Sequence, residues 1–119
     1  MPFPVEVTAE FEGWWNTLSE EERISIDGMI HVLEAHGPGL EPPYSTAIAG
    51  ARHGDLRQLR VPHGERIICV LYINDRVRQT LVLLTGSTAG SAEEVCPPDQ
   101  ITLADGIYGT YLRRRDQSD

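Results

Sequence analysis

The spacing of apolar residues switches between helical and strand periods along the chain, and the switches divide it into elements. Val5-Glu6-Val7 alternates and predicts a short first strand. From Thr8 or Ala9 the period lengthens, with Phe11, Trp14, Trp15 and Leu18 at helical spacing through Glu10–Leu18. Ser19-Glu20-Glu21-Glu22 is a capping-box sequence: the Ser19 hydroxyl can bond the Glu22 amide while Glu22 reaches back. The helix it opens keeps Ile24, Ile26, Met29, Ile30, Val32 and Leu33 apolar, and Gly37-Pro38-Gly39 stops it. Residues 40–55 read as a loop, marked by Pro42-Pro43 and small residues around 47–51.

Three closely spaced strands follow, Leu56–Val61, Arg66–Ile73 and Gln79–Thr85, with turns at Pro62-His63-Gly64 and Asn74-Asp75-Arg76. Such short connections favour antiparallel pairing. The middle strand is apolar on both faces, so it is expected to be central and covered on both sides. After a loop over Gly86–Ser91, Pro97-Pro98-Asp99 opens a last helix whose face is Ile101, Leu103, Ala104, Ile107, Tyr108 and Tyr111. Residues 112–119, with Arg113-Arg114-Arg115, read as a solvated, frayed tail. The predicted order is β-α-α-β-β-β-α, an α+β domain with a two-helix hairpin packed on a mostly antiparallel sheet and a C-terminal helix.

Length and charge narrow this picture. At 119 residues the chain suits one domain, 1–119. The start carries no basic stretch followed by an apolar one, and no apolar run is long enough to span a bilayer, so a cytoplasmic protein is expected. Cys69 and Cys96 form no CxxC; two reduced thiols are expected, with one isolated bridge as the alternative. No His/Cys/Asp cluster has metal-ligand spacing, and no cofactor is expected. All ten cations are arginines, and they are unevenly spread: residues 1–50 carry −8, residues 51–88 carry +3, and residues 89–119 carry −3. A pI near 4.9 argues against nucleic-acid binding over the whole surface, while the basic middle permits a focused phosphate-facing site. The alternative for those arginines is a set of solvated sheet-edge residues.

The order and its punctuation resemble the HigB-like branch of the RelE/ParE superfamily of type II toxin–antitoxin systems. Phe11-Glu12-Gly13-Trp14-Trp15-Asn16-Thr17-Leu18 resembles the family's opening helix, "F-x-x-W-x-x-x-L". His36-Gly37-Pro38-Gly39-Leu40-Glu41-Pro42-Pro43-Tyr44-Ser45 resembles its helix-ending segment, and Ile48 to Arg60 resembles "i-x-G-s-R-h-x-x-L-x-E-L-R". Val70-Leu71-Tyr72 and Leu83-Leu84-Thr85-Gly86 match the two following strands, and Ala104 to Tyr111 the closing helix, so the likeness covers roughly residues 5–111. It implies a toxin that cuts messenger RNA on translating ribosomes without a metal and is held by a helix-turn-helix, HigA-like antitoxin. Alternatives are a same-fold toxin that binds a protein such as DNA gyrase, as ParE-type relatives do, and a non-catalytic descendant with a regulatory role.

The chemistry implied is attack of a ribose 2′-hydroxyl on the adjoining phosphate, with a base, an acid and cations around the phosphorane. Arg60 stands where the "E-L-R" arginine falls, on the strand face opposite Leu59 and Val61. Alternation puts Arg57 on the other face from Arg60. Arg52 and His53 lie in the preceding loop, His53 as a candidate general base or acid. Arg66, Arg76 and Arg78 sit at hairpin ends, and Tyr72 fits the family's strand tyrosine, which also reads as a packing residue with a bonded hydroxyl. Three departures stand out: Cys69 replaces a customary arginine, Ser87-Thr88-Ala89 replaces lysines, and Gln58 replaces the glutamate. Losing one preorganised donor commonly costs about 2.7–4 kcal/mol of catalysis.

Overall fold

The domain is organised about one strand, β4 (Arg66–Asp75), with β3 (Leu56–His63) on one side and β5 (Thr80–Ser87) on the other, both antiparallel to it. The structure, a computed structural model, describes residues 3–48, 53–88 and 96–118, and of 115–118 the backbone alone. β1 (Val5–Val7) adds parallel to β5, and β2 (Ser45–Ala47) antiparallel to β3, giving the order β1-β5-β4-β3-β2. The predicted α+β class and element order hold, with β2 as an addition inside the segment expected to be a loop.

Helices cover both faces. On one lie α1 (Ala9–Trp15) and α2 (Glu20–His36), whose Phe11, Ile26 and Leu33, with Leu18 from the link between them, pack on Leu59, Val61, Val70 and Tyr72. On the other lies α3 (Pro98–Ser118), whose Ala104, Ile107 and Tyr108 pack on Leu56, Leu71, Ile73 and Leu84. Six consecutive residues of β4, Ile68 to Ile73, alternate between these cores, which is why the middle of its sequence is apolar throughout. α3 runs on through Arg113–Ser118, past Leu112 where a frayed tail was expected.

Local chemistry sets the helix boundaries. Ser19 and Glu22 form the expected capping box, at 3.1 Å and 2.8 Å, and Gly37 ends α2 at φ +58, a conformation glycine adopts freely. Thr8 caps α1 by accepting from the Phe11 amide at 3.1 Å and donates its hydroxyl to the Leu84 carbonyl at 2.9 Å. That carbonyl lies in a bulge where the β4–β5 register shifts between Leu71 and Tyr72. Beyond it Gly86 receives the Trp14 ring, and a Cβ there would also stand 2.6 Å from the Cys69 carbonyl oxygen.

The cysteines depart from expectation: Cys69 of β4 and Cys96, just before α3, are joined in a disulfide. Their Cα atoms are 5.9 Å apart, inside the ordinary range for a bridge, because the entry to α3 lies against the central strand. No helix among the described residues is long and apolar enough to cross a membrane.

Candidate functional site

The turn entering β3 places His53 against α3. The Asp105 carboxylate accepts from the His53 backbone amide at 3.1 Å and meets its ring Nδ1 at 3.0 Å. An ionised carboxylate only accepts, so Nδ1 carries the proton in this pair and Nε2 of the neutral ring is left as the basic nitrogen. Tyr108, one turn after Asp105, meets the imidazole edge-on, with ring centroids 4.9 Å apart. His53 and Tyr108 border a cleft of about 450 Å³, together with Asp55, Asn74, Arg76 and Leu112. Arg76 crosses its rim to Asp55, with Nη2 and Oδ1 2.8 Å apart. This is a histidine held in one orientation beside a cation, an arrangement suited to proton abstraction next to a phosphate.

A second cavity of about 140 Å³ adjoins the first, sharing Gly54, Asp55, Asn74 and Arg76 with it and adding Arg57 and Tyr72. Arg57 donates through Nε to the Ser45 hydroxyl at 2.8 Å and through Nη2 to the Ser45 carbonyl at 3.0 Å. The same Ser45 hydroxyl bonds the buried Tyr72 hydroxyl. Tyr72 is thus both a packing residue and the anchor of this chain. Asn74 Oδ1 is buried, with no hydrogen-bond partner among the described residues.

The remaining candidates lie elsewhere. Arg60 is on the α3 face, as strand alternation predicts, directly across the ladder from Cys69 and so beside the disulfide. Its neighbour Gln58 donates to the Thr46 hydroxyl at 2.7 Å. Arg66 sits at the far hairpin end, 3.6 Å from Glu22. Arg78 pairs with Glu6 at 3.2 Å and with the Tyr111 hydroxyl, which donates to Glu6 at 2.9 Å. Burial, then the bond to Glu6 and its charge, push the Tyr111 phenol up to about 12. Arg52 lies outside the described residues.

The structure therefore gathers His53, Arg57, Tyr72 and Arg76 at one end of the sheet, and leaves Arg60, Arg66 and Arg78 outside both cavities. Sequence reasoning missed Asp105, Tyr108, Ser45 and Asp55. Asp105 and Tyr108 did leave a trace, an acid and a phenol three residues apart beside the apolar Ala104 and Ile107. Among the described residues no group of three His, Cys, Asp or Glu side chains could hold a metal ion.

Comparison with known proteins fits this architecture. Residues 13–108 match the family described as Phage derived protein Gp49-like. The candidate toxin HigB2 of Mycobacterium tuberculosis is 30% identical over 109 residues, which are 88% of this chain and 54% of HigB2. The candidate toxin HigB3 of the same organism is 32% identical over 82 residues, covering 69% of this chain and 70% of HigB3. The chain thus spans about half the length of HigB2. Among solved structures, a mutant Escherichia coli toxin RelE in the free state superposes with TM-score 0.58 and 13% identity, covering 96% of this chain and 98% of RelE. The RelE–RelB complex of Pyrococcus horikoshii gives TM-score 0.56 and 18% identity over 77% of this chain and all of the matched one. The toxin–antitoxin complex RelBE2 of M. tuberculosis gives TM-score 0.56 and 13% identity over 74% of this chain and 99% of its counterpart. With a family match across most of its length, the chain belongs to the Gp49-like family and is a relative of HigB3, and its fold is RelE-like.

Proposed function

We propose that the protein is the toxin of a type II toxin–antitoxin pair, a metal-independent endoribonuclease that cuts messenger RNA on translating ribosomes in the cytoplasm. Its partner is a helix-turn-helix, HigA-like antitoxin. The observation that carries the chemistry is the carboxylate-oriented His53 at a cleft that also holds Arg76. In this reading His53 Nε2 takes the 2′-hydroxyl proton, O2′ bonds to phosphorus and the P–O5′ bond breaks. The leaving O5′ takes a proton from water, and the guanidinium stabilises the phosphorane. Arg60, the arginine matching the family's motif, stands outside this cleft, across the ladder from Cys69.

The test maps new RNA 5′ ends on translating ribosomes with the wild type, His53→Gln and Arg60→Ala. Ribosome-positioned cuts that vanish in His53→Gln support the reading. Cuts that vanish only in Arg60→Ala move the site along the sheet to Arg60, beside the disulfide. No cuts from the folded, antitoxin-free wild type overturn the enzyme. In that case the absence of arginine at Cys69 favours a toxin that binds a protein target.

A further inference from the structure

Arg57 is a cation fixed by neutral groups. Its two hydrogen bonds go to the hydroxyl and carbonyl of Ser45, and no carboxylate among the described residues lies within ion-pair distance of it. Ser45 is fully buried and Tyr72 nearly so, and their mutual hydroxyl bond holds the guanidinium in place. A guanidinium has five N–H donors, and two are used here, which leaves three in fixed directions. A half-buried positive charge without a counter-charge favours an anion in the adjoining space.

The cavity beside Arg57 adds two features. Arg76 brings a second guanidinium to its wall, there paired with Asp55, so that Arg57 is the cation left for an anion. Asn74 supplies the buried Oδ1, an acceptor with no donor among the described residues. A ligand that satisfies both sides of this cavity carries an anion for the guanidinium and a hydroxyl for the amide oxygen. A phosphate and the ribose beside it meet both needs. A deoxyribose lacks one of the hydroxyls that could reach Asn74, so the amide would also distinguish ribose from deoxyribose.

We propose that the Arg57 cavity is a ribonucleotide-binding subsite, in which Arg57 holds a backbone phosphate and Asn74 accepts from a ribose hydroxyl. This rests on the ribonuclease reading, since the His53 cleft adjoins it through Gly54, Asp55, Asn74 and Arg76. A strand crossing this end of the sheet would leave one phosphate at Arg57 while its neighbour lies at the histidine. The subsite is on the α2 side of the sheet, away from Arg60 and the disulfide.

The experiment is calorimetric titration of the full-length protein, without ribosomes, using uridine 3′-monophosphate, 2′-deoxyuridine 3′-monophosphate and inorganic phosphate. Arg57→Gln keeps a donor for Ser45 and removes the charge. It is expected to weaken uridine 3′-monophosphate about tenfold or more, as loss of a charge-assisted bond does. Asn74→Ala is expected to abolish the preference for ribose over deoxyribose. Unchanged affinity in Arg57→Gln overturns the proposal. Inorganic phosphate binding as tightly as the nucleotide makes the cavity a free-phosphate site and overturns the RNA assignment. Should Arg57→Gln fail to fold, the Arg57 Nε–H resonance of the wild type decides, since a nucleotide that leaves it unmoved does not bind there. Binding is read apart from cleavage. A protein that binds through Arg57 and never cuts sinks the enzyme and keeps the subsite; one that cuts with no such binding does the reverse.

Discussion

The two ends of the β3–β4 pair carry the same residue types and end in different states. At the hairpin end His63 and Arg66 face each other across the ladder, and α2 comes down on both. His63 Nδ1 meets the Ser25 hydroxyl at 2.9 Å, and Arg66 stands 3.6 Å from Glu22. At the other end His53, Arg57 and Arg76 border open cavities, and α3 contributes Asp105, the acid that touches His53 among the described residues. The first turn of α2 carries Glu20, Glu21 and Glu22, which suit a helix N-terminus and also supply countercharge. The difference lies in the opposing element. A histidine becomes a candidate base where the opposing element orients it with a carboxylate and leaves it at a cleft bordered by an arginine.

The sharpest way to break this contrast is to alter both ends in the ribosome assay. Asp105→Asn is expected to slow cleavage by about 10²–10⁴-fold, the usual worth of a positioned general base, because a neutral amide no longer dictates which ring nitrogen carries the proton. His63→Ala is expected to leave the rate unchanged. Equal losses at the two ends would abolish the distinction.

Next in size is the disulfide, which ties α3, the helix that brings Asp105 and Tyr108 to the open end, to the central strand. Cys69 and Cys96 are 27 residues apart, and closing a loop of that length is worth about 3.5 kcal/mol at 25 °C by chain entropy. Cys96→Ser should lower the urea-unfolding free energy by that order under non-reducing conditions. It should leave the His53–Asp105 contact in place, since Ala104, Ile107 and Tyr108 still anchor the helix. If a dithiol reductant changes the wild type no more than it changes Cys96→Ser, the bridge is not formed in solution.

What the sequence made legible and what it hid divide along the same line. The capping box, the glycine stop and the two-faced character of β4 are local patterns, and each became the expected element. β2 escaped because Ser45-Thr46-Ala47 shows no strand pattern of its own; it forms because Gln58 and Arg57 bond its side chains and backbone across the ladder. Asp105 meets His53 across 52 positions, and the disulfide spans 27, so neither pairing is written in any local window. Alternation did assign Arg57 and Arg60 to opposite faces. It could not say which face carries cavities shared with a fixed histidine.

At the closed end the expected effects are on stability alone. Ser19→Ala should cost about 1 kcal/mol by removing the α2 cap. The bond from the Ser19 backbone amide, foremost, holds the Glu22 carboxyl below its usual pKa; the Ser19 hydroxyl and the Arg66 and His63 charges add to this, and burial opposes it. The folded value is depressed, so this contribution is present above the unfolded pKa and is lost as pH falls through the folded one. Glu22→Gln should flatten that part of an acid-unfolding profile while RNA cleavage stays at the wild-type rate. A cleavage defect here would make the hairpin end functional after all.

The smallest effect is invisible at neutral pH. Tyr111 links α3 to β1 through Glu6 and to the β4–β5 turn through Arg78, and its phenol is pushed up to about 12 from 10. The folded state therefore holds this proton where the unfolded chain has released it. The contribution is complete below pH 10 and is lost as pH rises toward 12, because the native state binds more protons across that window. Tyr111→Phe should remove this part of the alkaline loss. The readout is unusually clean because the chain contains no lysine, so tyrosines dominate the titration in that range. Phenolate absorbance of wild type and variant, followed beside denaturant midpoints at rising pH, gives both halves of the linkage. If the variant loses stability over the window as steeply as the wild type, the phenol is not held by Glu6, and α3 is fastened at this edge by its apolar contacts alone.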